Sequence, residues 1–263
     1  MIKNFYRMLI IPAFLIGFLL RACQAQSIGT AIPTATALPT KTPTTTPTPS
    51  PTPTKTLIST TTPPPTETKI SLTTSPTFPE SHYITDITGH KQTYELGCEA
   101  SAAVDWAGFF GVSIYESTFQ YSLPLSDNPD LGFVGEVTTD AWGQIPPYAY
   151  GVHAGPIAEA LADFGVPARA VTGYTIEEVK ISLSEDKPII AWVIGNMEYS
   201  EPLEYVDSTG NTAIVAPYEH VVILTGYNQT HLRYMNNGKF YDTPIEVFLT
   251  SWGVLGNMAV IYD

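Results

Sequence analysis

From Thr30 to Glu80 the chain is close to a two-letter sequence, with 20 Thr and 12 Pro among 51 residues. A stretch so poor in aromatic and branched aliphatic side chains buries too little apolar surface to offset the entropy lost on ordering. Residues 26–80 are therefore expected to form a disordered linker. Proline density favours extended polyproline II, so the tract reaches up to ~150 Å at about 3.1 Å per residue. That makes it a spacer, and its Thr content makes it a candidate for glycosylation. What remains for folding is residues 81–263, the length of one domain with one core.

Ahead of the linker, Lys3 and Arg7 precede an apolar run from Met8 to Leu20. About 13 residues is short for a membrane span, which needs ~20, and fits the core of a signal peptide. Leu20-Arg21-Ala22-Cys23 then resembles a bacterial lipobox, in which Cys23 would be acylated, although Arg21 departs from the usual pattern. Ordinary cleavage after Ala25, or an uncleaved anchor, are the alternatives. Residues 1–25 are thus read as signal peptide and lipobox, and the protein as extracellular, a membrane-anchored lipoprotein on the bacterial cell surface.

Charge is unevenly divided. The whole chain carries −13, but from residue 81 onward 6 Lys and Arg face 23 Asp and Glu, a net of −17. A domain this acidic repels phosphate backbones and anionic lipid, which excludes a nucleic-acid partner and leaves membrane contact to the N-terminal anchor. No His or Cys pair stands at metal-ligand spacing and no HExxH helix occurs, so neither a metal nor a cofactor is expected.

Cys98 is the one cysteine in the foldable part. It follows Gly97 and opens a run of helix formers, with Ala102, Ala103, Trp106 and Phe110 at spacings of three and four. A cysteine there sits at a helix N-terminus, where unpaired N–H groups and the macrodipole favour a thiolate. Glu99 beside it works against ionisation. The other reading of such a residue is a buried core thiol. Six residues upstream, Gln92 is placed to aim its amide at a developing oxyanion alongside the Cys98 N–H; otherwise it is a surface loop residue.

His220 opens a β-branched apolar run, His-Val-Val-Ile-Leu-Thr-Gly226, which reads as a buried strand with the imidazole at its mouth. The next strand, from His231, ends at Asn236-Asn237-Gly238, a turn signal. An Asn there can accept from the ring and hold its tautomer, as the third member of a triad does. His153, heading a helix over 155–165, is the rival base, or else a packing or cleft-wall residue. His82, His90 and His231 read as solvated.

These segments resemble the bacterial papain-like cysteine peptidase-like family related to double-glycine (bacteriocin leader) peptidases. The resemblance rests on Gln92…Leu-Gly-Cys98-Glu-Ala-Ser, Asn128-Pro129…Gly132-Phe-Val-Gly135 and Tyr150-Gly-Val-His-Ala154. It extends through Asp186-Lys-Pro-Ile-Ile-Ala-Trp192, His220 to Tyr227 and Asn236-Asn237. It implies an α+β, papain-like fold, a helical half bearing the nucleophile packed on a small antiparallel β-sheet. It further implies Cys98 as nucleophile, His220 as general base, Asn237 as its orienting partner and Gln92 as oxyanion donor. Asn237 falls where the family shows Asp or Asn followed by Pro; Gly238 replaces that Pro, which leaves Asn236 as the alternative. The residues themselves read as helices at 98–110, 155–165 and 175–185, and strands at 188–194, 220–227, 231–236 and 257–262.

The activity expected is a thiol hydrolase cleaving peptide bonds through a Cys-His-Asn triad and an acyl-enzyme, with a peptide or protein as partner. The alternatives are an acyl or peptidyl transferase using the same triad, or a catalytically inactive papain-like surface binding module. Specificity is expected to lie in loops such as 122–143.

Overall fold

A computed structural model describes residues 78–263. The signal peptide, Cys23 and the linker up to residue 77 lie outside the described residues. Packing is already in place at Phe78, whose ring meets Tyr227 edge-on, and at Pro79, whose carbonyl accepts from the Tyr227 hydroxyl. Among the described residues no helix is long and apolar enough to cross a membrane.

The elements run β1 (His82–Tyr83), α1 (Cys98–Phe109), α2 (Glu116–Gln120), α3 (Ala154–Asp163), β2 (Ala168–Val171), α4 (Ile176–Ser184) and β3 (Ile189–Ile194). Then come β4 (Leu203–Val206), β5 (Thr212–Val215), β6 (Glu219–Tyr227), β7 (His231–Asn236), β8 (Lys239–Pro244), α5 (Ile245–Gly253) and β9 (Ala259–Tyr262). The main sheet is antiparallel and ordered β2-β9-β3-β6-β7-β8, with β1 added beside the end of β6. Seven strands make it larger than the small sheet the sequence suggested. A separate hairpin joins β4 and β5.

The middle of the sheet explains its own sequence. β3 (IIAWVI) and β6 (EHVVILTGY) are buried at every position, so both read as continuous apolar runs rather than alternating ones. Helices pack against these strands, α1 on β6 and α5 on β3. Trp106, Trp192 and Trp252 are fully buried. Each indole N–H finds a backbone carbonyl, of Pro188, Val152 and Met258 respectively, so the large rings bury no unpaired donor. α4 begins with a capping box: Thr175 accepts from the Glu178 N–H while Glu178 accepts from the Thr175 N–H at 2.8 Å.

Two features place the site. α1 starts at Cys98, its first turn closed by the Ser101 N–H on the Gly97 carbonyl at 2.9 Å. β6 and β7 lie side by side with Ile223 opposite Met235. The β7–β8 hairpin turns at Asn237 (φ 51°) and Gly238 (φ 68°), the left-handed pair that a two-residue Asn-Gly hairpin requires. Gly238 could not be anything larger, because a Cβ there would meet the Gly89 carbonyl oxygen at 2.7 Å.

Candidate active site

The loop that carries Gln92 is held from below. Glu116 accepts from the Thr93 N–H at 2.9 Å and the Thr93 hydroxyl at 2.6 Å. His90, expected to be solvated, is exposed and is also clamped between Asp105 (Nδ1, 2.7 Å) and Glu116 (Nε2, 2.9 Å). Desolvation lowers its pKa, but the hydrogen bonds of the two carboxylates outweigh that and raise it. This clamp was not legible because its acidic members come from α1 and α2, 15 and 26 residues away.

Gln92 lines the same crevice as Cys98, but its amide is occupied. Nε2 donates to the Tyr94 carbonyl at 2.8 Å and to the Glu95 carbonyl at 3.1 Å. To reach an oxyanion it must release one of them, the longer bond to Glu95 being the weaker.

His220 is buried at the start of β6, and its Nε2 pairs with Asn236 Oδ1 at 3.1 Å. Asn237, favoured from the sequence, makes no hydrogen bond to the ring. Its Oδ1 accepts from the Gln92 N–H at 2.9 Å, and its Nδ2 donates to Asn236 Oδ1 at 3.1 Å. The reason is strand alternation. With Met235 opposite Ile223, Asn236 falls on the face shared by Val222 and His220, while Asn237 has already entered the turn. Strand parity in the sequence does not decide between the two without the β6–β7 register, which the fold supplies. Trp142 completes the wall: its ring meets His220 edge-on at 6.1 Å and its Nε1 donates to the Glu219 carbonyl at 2.6 Å.

The imidazole thus presents Nδ1 as its available nitrogen, and burial lowers its pKa in spite of the Asn236 bond. His153 is not part of this arrangement. It is buried with Nδ1 on Asp130 at 2.7 Å and Nε2 at 3.1 Å from the Tyr150 hydroxyl.

Cys98 departs most from expectation. Its thiol donates to Glu99 Oε2 at 3.1 Å, not to His220, and the residue is 5% exposed. Burial pushes its pKa well up, and the Glu99 and Glu219 carboxyls add to that. The helix N-terminus is outweighed, by burial first and by the two carboxyls after it. A cleft of about 450 Å³ is lined by Gln92, Tyr94, Trp142, Asn196, His220 and Asn236. Cys98 opens instead on a crevice of about 10 Å³ that shares Gln92, Asn236 and Asn237 with the cleft. Among the described residues one group of three potential metal donors occurs: Cys98, Glu99 and Glu219, whose donor atoms lie within 4.8 Å of one another.

The Peptidase_C39 like family model matches residues 84–260, two thirds of the sequence. The chain belongs to this family. It is a C39-like cysteine peptidase, a papain-like hydrolase in class. The C39-like fold is also that of a protein described as a C39-like peptidase from Bacillus anthracis. That structure is 21% identical, with a TM-score of 0.62 over 70% of this chain and 98% of that one. Two weaker likenesses are to the peptidase domain of Streptococcus ComA, a bi-functional ABC transporter of a quorum-sensing pathway, and to xylellain, a cysteine protease from Xylella fastidiosa. The first is 14% identical, covers 67% of this chain and 98% of that one, and has a TM-score of 0.41. The second is 14% identical, covers 71% and 87%, and has a TM-score of 0.39. No curated protein matches the C39-like chain.

Proposed function

We propose that this C39-like chain is a surface-tethered peptidase that cleaves peptide bonds through Cys98, His220 and Asn236. The observation that carries the reading is the His220 Nε2–Asn236 Oδ1 bond. It fixes the tautomer and turns Nδ1 into the base of a cleft beside a cysteine at a helix head.

In the proposed reaction the Cys98 thiol leaves Glu99 and gives its proton to His220 Nδ1. The sulfur attacks the scissile carbonyl and the oxyanion accepts from the Cys98 N–H and from Gln92 Nε2, freed from the Glu95 carbonyl. The imidazolium then protonates the leaving amine, a thioester remains on Cys98, and water activated by His220 releases the acid. Asn237 supports this indirectly, by holding the Gln92 backbone and the Asn236 amide oxygen. The resting pair is a neutral thiol and a neutral imidazole, since burial acts in opposite senses on the two groups.

The Leu20–Cys23 segment supports lipid anchorage, with the Thr/Pro tract holding the domain off the membrane. Fatty-acid labelling of the full chain that is lost in Cys23→Ala tests the tether; labelling that persists overturns it. For the chemistry, Cys98→Ala and His220→Ala should each remove hydrolysis of a peptide that the full chain cleaves, with the fold intact by circular dichroism. Retained hydrolysis in either variant overturns the reading.

A further inference from the structure

Two glutamates flank the catalytic pair in sequence, Glu99 after Cys98 and Glu219 before His220. Both are buried, 1% and 2% exposed. One donor atom from each of Cys98, Glu99 and Glu219 lies within 4.8 Å of the others. Gly151 (φ 118°) closes the space above them: a Cβ there would run into Glu99 Oε1 and lie 3.3 Å from Glu219 Oε2. Two carboxylates this close, away from water, cannot both be ionised.

The hydrogen bonds decide which one holds the proton. Glu99 accepts from the Val152 N–H at 2.7 Å and from the Cys98 thiol at 3.1 Å. Val152 is held on its other side as well, its carbonyl accepting from Trp192 Nε1 at 3.0 Å. Among the described residues the Glu219 carboxyl accepts no hydrogen bond, and its Oε1 is buried without any partner. An oxygen pair with two donors is a place for a negative charge; a buried oxygen with none is a place for a neutral acid.

We infer that this cluster holds one proton on Glu219 and leaves Glu99 as the carboxylate that keeps Cys98 parked as a thiol until substrate draws it to His220. Glu99 is then a positioning residue for the nucleophile, and the inference rests on the reading of Cys98 as that nucleophile. The groups facing the cluster agree with it. α1 contributes Cys98 and Glu99, and β6 contributes Glu219 and His220. The segment before α3 contributes Tyr150, backed by His153 at 3.1 Å and, beyond it, Asp130 at 2.7 Å. Burial raises the Tyr150 phenol well above its usual range, so it stays neutral too. Burial also raises both carboxyls, Glu99 to about 7 and Glu219 well above its usual range, so Glu99 ionises first.

The coupling has a kinetic signature. Below about pH 7 the alkylation rate of Cys98 should rise with pH at unit slope. Near 7 it should flatten, because the population with an ionised thiol and a protonated Glu99 stops growing once Glu99 itself titrates. Glu99→Gln removes the charge and should remove the break. A neighbouring carboxylate raises a pKa by roughly one to three units. Each unit of relief increases thiolate about tenfold and lowers its intrinsic nucleophilicity about threefold. The variant should therefore react about 3- to 10-fold faster than the native chain at about pH 8, where about a tenth of Glu99 is still protonated, and at nearly the same rate at about pH 6.

The experiment is iodoacetamide alkylation of the full chain across this range, in native, Glu99→Gln and Glu219→Gln proteins, with infrared spectroscopy of the native chain. Expected are a break that Glu99→Gln abolishes and Glu219→Gln shifts but retains, and a protonated-acid carbonyl band at about pH 8 that is lost in Glu219→Gln. A break abolished by Glu219→Gln but kept in Glu99→Gln overturns the assignment. So does a profile with no break in the native chain, or the absence of the acid band there, which needs no variant to fold. Neither readout uses a peptide substrate. Failure to cleave peptides thus leaves this inference standing, and its failure leaves the peptidase reading standing.

Discussion

Asn236 and Asn237 are adjacent, chemically identical and assigned different work, so substituting each in turn separates orienting the base from supporting the loop. In Asn236→Ala the His220 Nε2–H loses the one acceptor it has among the described residues, while the ring remains buried. Leaving a buried donor unsatisfied costs about 1–3 kcal/mol. If that loss falls on the catalytically competent imidazole, the rate falls about 5- to 150-fold. Asn236 also raises the His220 pKa, against a larger lowering by burial. Its removal should therefore move the acidic limb of the pH profile to lower pH, not higher. Asn237→Gly keeps the left-handed turn and loses the bonds to the Gln92 N–H and to Asn236 Oδ1. An exposed bond of this kind is worth about 0.5–1.5 kcal/mol, so its effect on rate should stay within about tenfold. The assay is the second-order rate of inactivation by a thiol-directed epoxide, which needs no knowledge of the natural substrate. A larger loss in Asn237→Gly than in Asn236→Ala, or an acidic limb that moves upward in Asn236→Ala, would refute the reasoning.

Further outcomes follow from the buried acids around the nucleophile. Gly151→Ala combines a backbone at φ 118° with a clash against Glu99; strain of about 1–3 kcal/mol and overpacking of about 1–3 kcal/mol should lower Tm by roughly 5–20 °C. Gly108→Ala, exposed in α1 with nothing within 4 Å of the new methyl, should instead stabilise by about 0.5–1 kcal/mol. Equal Tm changes in calorimetry would contradict both. Glu99 and Glu219 hold protons in the folded state that the unfolded chain releases above about pH 4.5. Their stabilisation is complete below that value and is lost as pH rises, through about 7 for Glu99 and beyond it for Glu219. His220, with its pKa lowered, acts in the opposite sense and only as pH falls below 6.5. Denaturation midpoints should therefore decline from about pH 4.5 upward, partly offset by His220 below 6.5, and above about pH 7 the decline should continue through Glu219 alone and be lost in Glu219→Gln; an unchanged slope above pH 7 in that variant would exclude Glu219 as a proton holder.

Much of the fold was legible where one physical signal dominated. β3 and β9 are uninterrupted apolar runs, β6 has one at Val221–Leu224, α4 carries a Thr175–Glu178 capping box, and Cys98 heads a helix of small and aromatic residues. β8 (KFYDTP) was missed because it is mostly exposed and has no apolar face, although the Asn237-Gly238 turn before it predicts a second hairpin strand. α5 (IEVFLTSWG) was missed because its Ile, Val and Thr lower helix propensity, and packing on β3 overrides them. α2, at five residues, is too short for periodicity to register. At the site, Gln92, Cys98 and His220 were singled out from the sequence, but the hydrogen bonds they make in the structure were not foreseen. Those depend on which face of β7 Asn236 occupies, and on Glu99 and Glu219 arriving at one buried point from α1 and β6, which sequence spacing does not encode.

The most direct measurement is to treat the full chain with a thiol-directed epoxide and map the adduct by mass spectrometry, alongside Cys98→Ala and His220→Ala. Our account predicts an adduct on Cys98 in the native chain, none at that position in Cys98→Ala, and labelling slowed about 100-fold or more in His220→Ala, as expected for loss of a general base. Labelling of Cys98 that is equally fast without His220 would contradict it.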